Sequence, residues 1–353
     1  MADLAGKLAA YNALLDERLR RWLNDRQACH RMYRMMAYHL GWLNQELRPC
    51  AADGGKRIRP ALCFLACEHV GAAAAVALPG AMAVELIHNF SLVHDDIEDN
   101  SPLRRHRATV WSLWGVGHGI NVGDGLFALA QLALLESGDG LDGVDPKKPN
   151  RAARTLNRTC LALCEGQALD LELQSGEAAD LASYLTMIRG KTAALFGCAA
   201  ELGALLAGAP DSVTHRMGEF GRAMGEAYQM LDDVMGVWGT PSATGKLASD
   251  VLQRKHGLPA VLAWRRAEAA DLGRLRVLYR KPEPMADEEA RWVVRLFDRL
   301  GVREEAERLM LDRLGRAEAV LRSLDPPRGA PSPLHELVAT VAGWSGNGDA
   351  MPG

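Results

Sequence analysis

The feature that most constrains the fold of this chain is the segment from Leu86 to Thr109, LIHNFSLVHDDIEDNSPLRRHRAT. Its first half contains no Gly or Pro, which predicts that it belongs to one helix. Side chains four residues apart share a helix face, so we expect Asp95 and Asp99 to stack one turn apart with Asp96 beside them. Carboxylates at this spacing repel each other, so the helix needs positive charge near its end.

Two adjacent arginines, Arg104 and Arg105, follow these aspartates. Their forked donors suit phosphate oxygens, and a group of carboxylates suits Mg2+ when a substrate phosphate completes its shell. The segment therefore indicates a site for magnesium and phosphate. The alternative is a solvated acidic helix end followed by a basic loop, because charged clusters commonly face water.

Helical spacing of apolar residues extends over most of the chain, and few stretches alternate with period two, so we predict an all-α fold. The predicted helices cover residues 8–25, 28–48, 60–70, 80–100, 120–135, 151–174, 178–188, 192–207, 212–236, 257–270, 286–300, 302–323 and 333–344. A Gly- and Pro-containing run, 137–150, is interpreted as a surface loop because the helical pattern resumes directly after it.

Size and charge limit the function classes. With 353 residues and 48% hydrophobic content, the chain can bury a large core. A net charge of -3 without blocks of like charge argues against nucleic acid as a partner. The N-terminus lacks a basic region followed by an apolar run, and the apolar stretches are short and interrupted, so we expect a cytoplasmic protein without a transmembrane segment.

Cysteine usage argues against a disulfide framework. The seven cysteines are odd in number and spread over a long chain. Two pairs, Cys63 with Cys67 and Cys160 with Cys164, have helical spacing in apolar surroundings. We predict that all four are small core residues.

A second acidic segment, YQMLDDVMG, ends at Gly236. Gln229, Asp232, Asp233 and Gly236 are expected on one helix face. If this helix faced the first acidic helix across a bundle, both aspartate pairs would point inward, as in metal sites of helical bundles. We therefore expect Asp95 and Asp232 to share one cleft.

Further cations accompany the acidic segments. Lys246 and Lys255 lie downstream, and either can neutralise phosphate. The run 189–192 (RGKT) is predicted to start a helix, where a cation and unsatisfied backbone donors can meet an anion. In the run GGKRIRP, Lys56 and Arg59 would share a face if the segment is helical.

Taken in order, these segments resemble a known family. GGKRIRP, LVHDDIED followed by RR, GKT, YQMLDD, TGK and RKHGLP occur between Gly54 and Pro259 in the order found in short-chain trans-isoprenyl diphosphate synthases, the polyprenyl synthetases. The resemblance implies one large helical bundle around a central cavity, a homodimer, and elongation of an allylic diphosphate by isopentenyl diphosphate. Residues 1–325 would form the catalytic domain, and residues 326–353 a linker, a short terminal helix and a disordered tail.

The resemblance also implies roles for individual residues. Asp95 and Asp99, supported by Asp96, would hold magnesium on the allylic diphosphate, and Asp232 with Asp233 would hold a further ion. The cations that match the allylic diphosphate site are Arg104, Lys191, Lys246 and Lys255. The residues that match the isopentenyl diphosphate site are Lys56, Arg59, His88 and Arg105. The residues whose oxygens would lie near the developing allylic cation are Thr192 and Gln229.

The sequence departs from the family pattern at three places. Gly236 stands where a third aspartate is common, so we expect weaker metal binding. His106 and Ala108 replace a Gly and a Pro after the two arginines. The pair 256–257 (HG) replaces a basic residue and a hydroxyl residue.

Two other functions stay open at this point. A terpene synthase on the same fold would cyclise a finished prenyl diphosphate, but it would not need the residues of the isopentenyl site. A non-catalytic partner subunit would be consistent with Gly236, but Asp95, Asp99 and Lys191 are intact.

Product length depends on the residues just before the first acidic motif. The resemblance implies that large side chains there close the floor of the cavity, and Phe90 and Ser91 precede Asp95 by five and four residues. An aromatic residue predicts a short product, farnesyl or geranylgeranyl diphosphate. Helix geometry points Phe90 away from the Asp95 face, however, so ordinary core packing is an equal alternative.

Overall fold

The computed structural model describes residues 4–27, 30–52, 54–138, 147–175, 180–239, 248–281, 283–325 and 332–347. These residues are mostly helical, which confirms the predicted all-α fold. The chain divides into two compact units. The first unit comprises Met1–Cys160 and Cys198–His215, and the second comprises Leu161–Gly197 and Arg216–Pro352.

The first unit is built from long apolar helices and one short hairpin. Its elements are α1 (Leu4–Gln27), α2 (Arg31–His39), α3 (Ile58–His69), α4 (Leu78–Glu98), β1 (Leu103–Arg104), β2 (Arg107–Ala108), α5 (Val110–Trp114), α6 (Val116–Leu135) and the start of α7 (Lys147–Ser175). The segment predicted as a basic loop therefore contains an antiparallel β-hairpin.

Helix α4 is the centre of the first unit and packs on α6 and α3. It follows a short 3-10 turn, and its early proline lies where the first helical amides lack intrahelical partners. Gly80 allows a close approach, because a Cβ there would lie 2.8 Å from Cδ1 of Leu206. The helix buries Val84, Leu86 and Ile87, and this apolar packing fixes the position of the acidic residues at its end.

The predicted helix over residues 28–48 is wrong at its C-terminal half. Helix α2 ends at His39, and Gly41 adopts φ +84. The N–H groups of Gly41 and Trp42 donate to the carbonyls of Tyr38 and Ala37 at 3.0 and 2.9 Å, which closes the helix with a Schellman motif. The following residues turn and form a bridge instead of continuing the helix.

The remaining helices lie in the second unit, except that most of the helix Ala194–Ala207 and the start of the helix Asp211–Trp238 belong to the first. They are α8 (Leu181–Ile188), α9 (Ala194–Ala207, entering the first unit at Cys198), α10 (Asp211–Trp238, entering the second unit at Arg216), α11 (Ser249–Leu252), α12 (Leu258–Arg266), α13 (Ala269–Arg280), α14 (Asp287–Arg299), α15 (Val302–Arg322) and α16 (Pro333–Asn347). The predicted helix over residues 257–270 is two helices, because Ala267 is extended with ψ 137.

The predicted helix start at Arg189 is also wrong. A π-helical turn, Arg189–Ala193, joins α8 and α9 into one continuous helix, so this position has no helix N-terminus. The turn lies where α7 approaches closely, since a Cβ on Gly190 would lie 2.8 Å from Cα of Gly166. Such turns are frequent at functional sites, and this one sets the direction of the residues that follow Gly190.

Two helical stretches, Ala74–Glu98 and Leu181–Ala207, have the length and composition of membrane-crossing helices. However, 67% and 72% of their most apolar windows are buried inside the protein. Buried core helices of globular proteins have the same properties, so these stretches are weak evidence for a membrane span.

Several predictions concern residues outside the described ranges: most of the loop 137–150, the linker 326–331, the tail 348–353 and Lys246. Among the described cysteines, Cys63, Cys67 and Cys160 are buried as predicted. Cys164 is exposed, so its predicted core position is wrong.

Candidate active site

The three aspartates at the end of α4 differ in exposure. Asp96 is only 2% exposed and accepts a hydrogen bond of 2.8 Å from Nε of Arg104. Asp95 is half-buried and Asp99 is exposed. Burial raises the pKa of Asp96 to about 6, although Arg104 acts in the opposite direction. Asp95 and Asp99 are therefore the carboxylates placed to meet a ligand from solution.

The local field at this helix end favours cations. Asp99 caps α4, and its N–H donates to the carbonyl of Asp95 at 2.8 Å, so both aspartates lie in the last turn. The C-terminal end of a helix carries partial negative charge, which adds to that of the carboxylates. Magnesium commonly binds to one or two carboxylates together with water and substrate phosphates. A magnesium site at this helix end therefore does not need a complete set of protein ligands.

A preassembled metal cage of three or more His, Cys, Asp or Glu side chains is absent from the described residues. Asp96 is directed towards Arg104, and Asp95 and Asp99 are the more exposed carboxylates of this helical turn. Two hard oxygen donors in one helical turn fit magnesium bound jointly with a diphosphate.

The hairpin after α4 presents the arginines. Leu103 pairs with Ala108 and Arg104 with Arg107, and the two turn residues, Arg105 and His106, have φ of 49 and 60. Positive φ at both turn positions matches the twist of a two-residue hairpin. His106, at a position where glycine would be unstrained, costs roughly 1 kcal/mol in this conformation.

Arg107 anchors the hairpin to the end of α2. Its guanidinium donates to the carbonyls of Tyr38 and Leu43 at 2.9 and 2.6 Å and lies 4.2 Å from the centre of the Tyr38 ring. These bonds satisfy two carbonyl groups, one in the last turn of α2 and one just after the helix ends. Arg104 and Arg105 are thus presented from a fixed base.

Two arginines of the hairpin lie near an arginine and a histidine from helices α3 and α4. We call this group the basic cluster. It consists of His88 and the three arginines that act on it, Arg59, Arg104 and Arg105. Nη1 of Arg59 lies 3.4 Å from Nε2 of His88. Arg105 packs on Gly55, since a Cβ at this glycine would lie 2.7 Å from Cζ of the arginine.

The electrostatics of the basic cluster are those of an anion site. Burial lowers the pKa of His88, and Arg59, Arg105 and Arg104 lower it further. The pKa of nearby His39 falls to about 3 because of burial and the same two hairpin arginines together with Arg107. The imidazoles therefore stay neutral beside several guanidinium groups, and the resulting positive potential attracts anions.

Lys56 does not share a helical face with Arg59. Helix α3 begins at Ile58, and the preceding Arg57 has a left-handed conformation with φ 48. The buried Arg57 side chain forms an ion pair with the partly exposed Asp16 at 2.6 Å. The condition for the predicted Lys56–Arg59 face is therefore not met, and Lys56 is an exposed residue before the helix.

In the second unit, the aspartates of α10 also differ from each other. Asp232 is exposed, whereas Asp233 is 7% exposed. Asp233 accepts hydrogen bonds from the Tyr184 hydroxyl at 2.8 Å, the Leu258 N–H at 2.7 Å and the Gln229 amide at 2.8 Å. Asp233 thereby caps α12 and contacts Gln229 on its own helix, whereas Asp232 beside it is exposed.

Burial raises the pKa of Asp233 to about 7, against the lowering effect of the Leu258 N–H and the Gln229 amide. The hydrogen-bond chain continues, because the Thr192 hydroxyl donates to Oε1 of Gln229 at 2.7 Å. Thr192, Gln229 and Asp233 are therefore brought together as one network.

The two described lysines of the predicted allylic diphosphate site each have a carboxylate partner. Lys191 lies 2.6 Å from Oδ2 of Asp170, and Lys255 lies 2.9 Å from Oδ1 of Asp250. Sequence reasoning missed Asp170, Asp250 and also Tyr184. Their positions in the sequence do not predict these contacts, because each of the three residues lies in a different element from its partner or is separated from it by a turn.

The residues proposed to set product length lie on α4. The Phe90 ring is half-buried, with its centroid 4.9 Å from that of His94 and 5.4 Å from that of Phe127. The Ser91 hydroxyl donates to the carbonyl of His88 at 2.8 Å. Their effect on product length stays a prediction. So does the shared cleft of Asp95 and Asp232, which belong to different units.

Comparison with known proteins gives consistent results. Residues 41–297 match the family described as polyprenyl synthetase. The chain is 44% identical over 255 residues to (2E,6E)-farnesyl diphosphate synthase of Mycobacterium tuberculosis, covering 72% of this chain and 68% of that protein. It is 40% identical over 289 residues to geranylgeranyl diphosphate synthase of the same organism, covering 81% and 80%.

Solved structures agree along nearly the whole length. Polyprenyl synthetase from Streptomyces coelicolor has a TM-score of 0.86 and 35% identity, covering 97% of this chain and 99% of that one. Polyprenyl synthase from Caulobacter crescentus, complexed with calcium and isoprenyl diphosphate, has a TM-score of 0.79 and 28% identity, covering 96% of each chain.

Proposed function

The chain belongs to the polyprenyl synthetase family, and we propose that it condenses an allylic diphosphate with isopentenyl diphosphate to give a short-chain prenyl diphosphate. It is a prenyltransferase enzyme. The names of its relatives support farnesyl or geranylgeranyl diphosphate as the product. Cyclisation of a finished prenyl diphosphate is not favoured.

The observation that carries this proposal is the basic cluster in the same compact unit as the acidic end of α4. Arg59 lies against His88, Arg105 packs on Gly55, and nearby arginines lower the pKa of both His88 and His39. Elongation requires two diphosphates, one that leaves and one that remains on the product. A cluster of cations next to an acidic magnesium site provides one anion site for each.

At the acidic end of α4, Asp95 and Asp99 would hold magnesium together with oxygens of the allylic diphosphate, and Asp232 would hold a further ion. Bound magnesium would neutralise the charge that develops on the departing diphosphate. By the family resemblance, Arg104, Lys191 and Lys255 would add fixed positive charge for the same group, which would lower the barrier to ionisation.

Thr192 and Gln229 would stabilise the allylic cation that remains. The Thr192 hydroxyl donates a hydrogen bond to Gln229, and the Gln229 amide donates a hydrogen bond to Asp233. This order of donors leaves lone pairs of the Thr192 oxygen for a positive charge. The double bond of isopentenyl diphosphate then attacks the cation, and a proton is lost to the released diphosphate.

A homodimer and a cytoplasmic location are parts of the same proposal. Helix α6 exposes large apolar side chains: Val116 at 47%, Ile120 at 44%, Leu132 at 38% and Leu135 at 43%. Exposed apolar side chains of this size along one helix favour a second copy of the chain as their cover. Sedimentation of the purified protein tests the dimer.

The test of the activity is incubation of the purified chain with magnesium, labelled isopentenyl diphosphate and allylic diphosphates of increasing length. We expect longer prenyl diphosphates as products. Hydrocarbons would identify a cyclase, and absence of any product would identify a non-catalytic subunit. As a matched variant, Arg59→Met should raise KM for isopentenyl diphosphate more than KM for the allylic substrate, because it removes one cation of the basic cluster.

A further inference from the structure

Position 236 is the point at which α10 lacks the third aspartate of its acidic motif, and the space beside it is filled from another element. A Cβ on Gly236 would overlap the carboxylate of Asp250 and would lie 3.1 Å from the Cβ of that residue. A side chain at position 236 would therefore require the carboxylate of Asp250 to move away. We call this space the Gly236 notch.

The chain after α11 places Lys255 beside the same carboxylate. Arg254 is left-handed with φ 56, and its N–H donates to the carbonyl of Val251 at 2.9 Å. The N–H of Lys255 donates to the carbonyl of Asp250 at 2.9 Å, which completes a Schellman motif. Backbone and side chain of Asp250 thus both hold Lys255, with Nζ and Oδ1 2.9 Å apart.

The side chains of Asp250 and Lys255 differ in their exposure to solvent. The Asp250 side chain is 18% exposed, whereas the Lys255 side chain is 52% exposed. The carboxylate is enclosed and the ammonium reaches solvent. Burial alone would lower the pKa of Lys255, but Asp250, with Asp232 and Asp233, raises it, so the ammonium stays charged.

We propose that Asp250, seated in the Gly236 notch, is a positioning residue that holds the Lys255 ammonium where it meets the diphosphate of the allylic substrate. This proposal rests on the proposed function, which gives Lys255 that contact. A long lysine side chain loses much conformational freedom when it binds an anion, and a fixed carboxylate partner removes part of that loss beforehand. The absence of a side chain at Gly236 leaves the space that the Asp250 carboxylate occupies in this arrangement.

The first test removes the charge and keeps the shape. Asp250→Asn should raise KM for the allylic diphosphate about 10-fold, because a hydrogen bond between charged groups is lost. KM for isopentenyl diphosphate should stay unchanged. A purely structural role of Asp250 would alter both constants or the melting temperature, and it would not separate the two substrates.

The second test exchanges the occupants of the notch. Gly236→Asp should weaken binding of inorganic pyrophosphate, measured calorimetrically with magnesium, because the new side chain displaces Asp250. Adding Asp250→Ala should restore binding, since the carboxylate then comes from α10. Gly273→Asp is the matched control: its Cβ would meet nothing within 4 Å, and pyrophosphate binding should not change.

The third test isolates the pair. In a Lys255→Met background, Asp250→Asn should weaken pyrophosphate binding no further, because the residue that it positions is gone. Equal effects of Asp250→Asn in both backgrounds would overturn the proposal. A double variant at 236 and 250 that binds no better than Gly236→Asp alone would overturn it as well.

Failure of the proposal and failure of the proposed function have different signatures. Pyrophosphate binding needs no turnover, so the cycle of variants reports on Asp250 and Lys255 even in a protein that forms no product. If the wild-type protein elongates allylic diphosphates but Asp250→Asn leaves both KM values and pyrophosphate binding unchanged, the positioning role is wrong and the activity stands.

Discussion

The acidic pairs of α4 and α10 have the same two residues but different surroundings. In each pair the second aspartate is buried, Asp96 at 2% and Asp233 at 7% exposure, and the first is more exposed. Asp96 is bonded to a guanidinium from the hairpin. Asp233 is bonded to neutral donors: a hydroxyl, an amide and a backbone N–H.

This difference separates a ligand site from a structural anchor. The α4 pair lies in the last helical turn, where the backbone adds negative charge, and its partner is a cation that a diphosphate also attracts. The α10 pair lies inside a helix that continues to Trp238, and its buried member connects three elements of the second unit. We therefore expect substitutions in α4 to affect catalysis most and substitutions in α10 to affect stability most.

The largest effect should come from Asp95→Ala. Removing a metal ligand should lower kcat/KM by at least about 100-fold, as loss of a group that stabilises transition-state charge does. The melting temperature should not fall, since repulsion with Asp99 is relieved. Asp232→Ala should have a smaller effect, about 10-fold. Near-native turnover of Asp95→Ala, measured with saturating magnesium, would contradict the assignment of α4 as the principal metal site.

The order reverses for stability. Asp233→Ala leaves the Tyr184 hydroxyl, the Leu258 N–H and the Gln229 amide without an acceptor, which should cost about 3 kcal/mol or more of the free energy of unfolding. Asp96→Ala should cost about 1 kcal/mol, because the half-buried Arg104 can turn to water. Urea denaturation of both variants measures this. A larger loss for Asp96→Ala would reverse the comparison.

The pH dependence of the metal-free protein gives a finer test. The pKa of Asp233 is raised from 3.8 to about 7 and that of Asp96 to about 6, so both favour the protonated form in the folded state. Their stabilising contribution is full below pH 3.8 and is lost as pH rises through the folded pKa. Relative to Asp233→Asn, which does not titrate, the wild-type free energy of unfolding should fall between pH 5 and about 7.

The same measurement on Asp96→Asn distinguishes the two sites. Its difference from the wild type should level off near pH 6, below the value for Asp233. Measurements in chelator from pH 5 to 8 cover both transitions. Identical pH profiles for the two variants would show that the ionic and the neutral partners have the same effect.

Local sequence signals predicted the helices that carry these pairs. The run without Gly or Pro before Asp95 gave α4 as one helix, and apolar spacing gave α10 nearly to its end. The signals failed where structure depends on distant residues. The π turn at Gly190 requires the approach of Gly166, and the hairpin at Arg105 has strands of only two residues.

The contacts of the site were less predictable than its residue types. Charged residues at motif spacing identified Asp95, Asp96 and Arg104, but the ion pair that directs Asp96 inward depends on the hairpin. Asp250 occupies the Gly236 notch because residue 236 has no side chain. The spacing of residues along the sequence cannot predict which distant side chain fills such a space.

We expect the smallest effect for a substitution that changes product length. The two helices differ at the position five residues before their acidic pairs. Helix α4 has Phe90 there, and α10 has the fully buried Ala227. If the Phe90 ring closes the cavity floor, Phe90→Ala should lengthen the prenyl product, as measured by chromatography of the hydrolysed products. The melting temperature would fall for either role of the ring, so product length is the deciding readout. Phe127→Ala is the control, because it removes the aromatic neighbour 5.4 Å from Phe90 and keeps the ring itself. An unchanged product spectrum in Phe90→Ala would assign the ring to core packing.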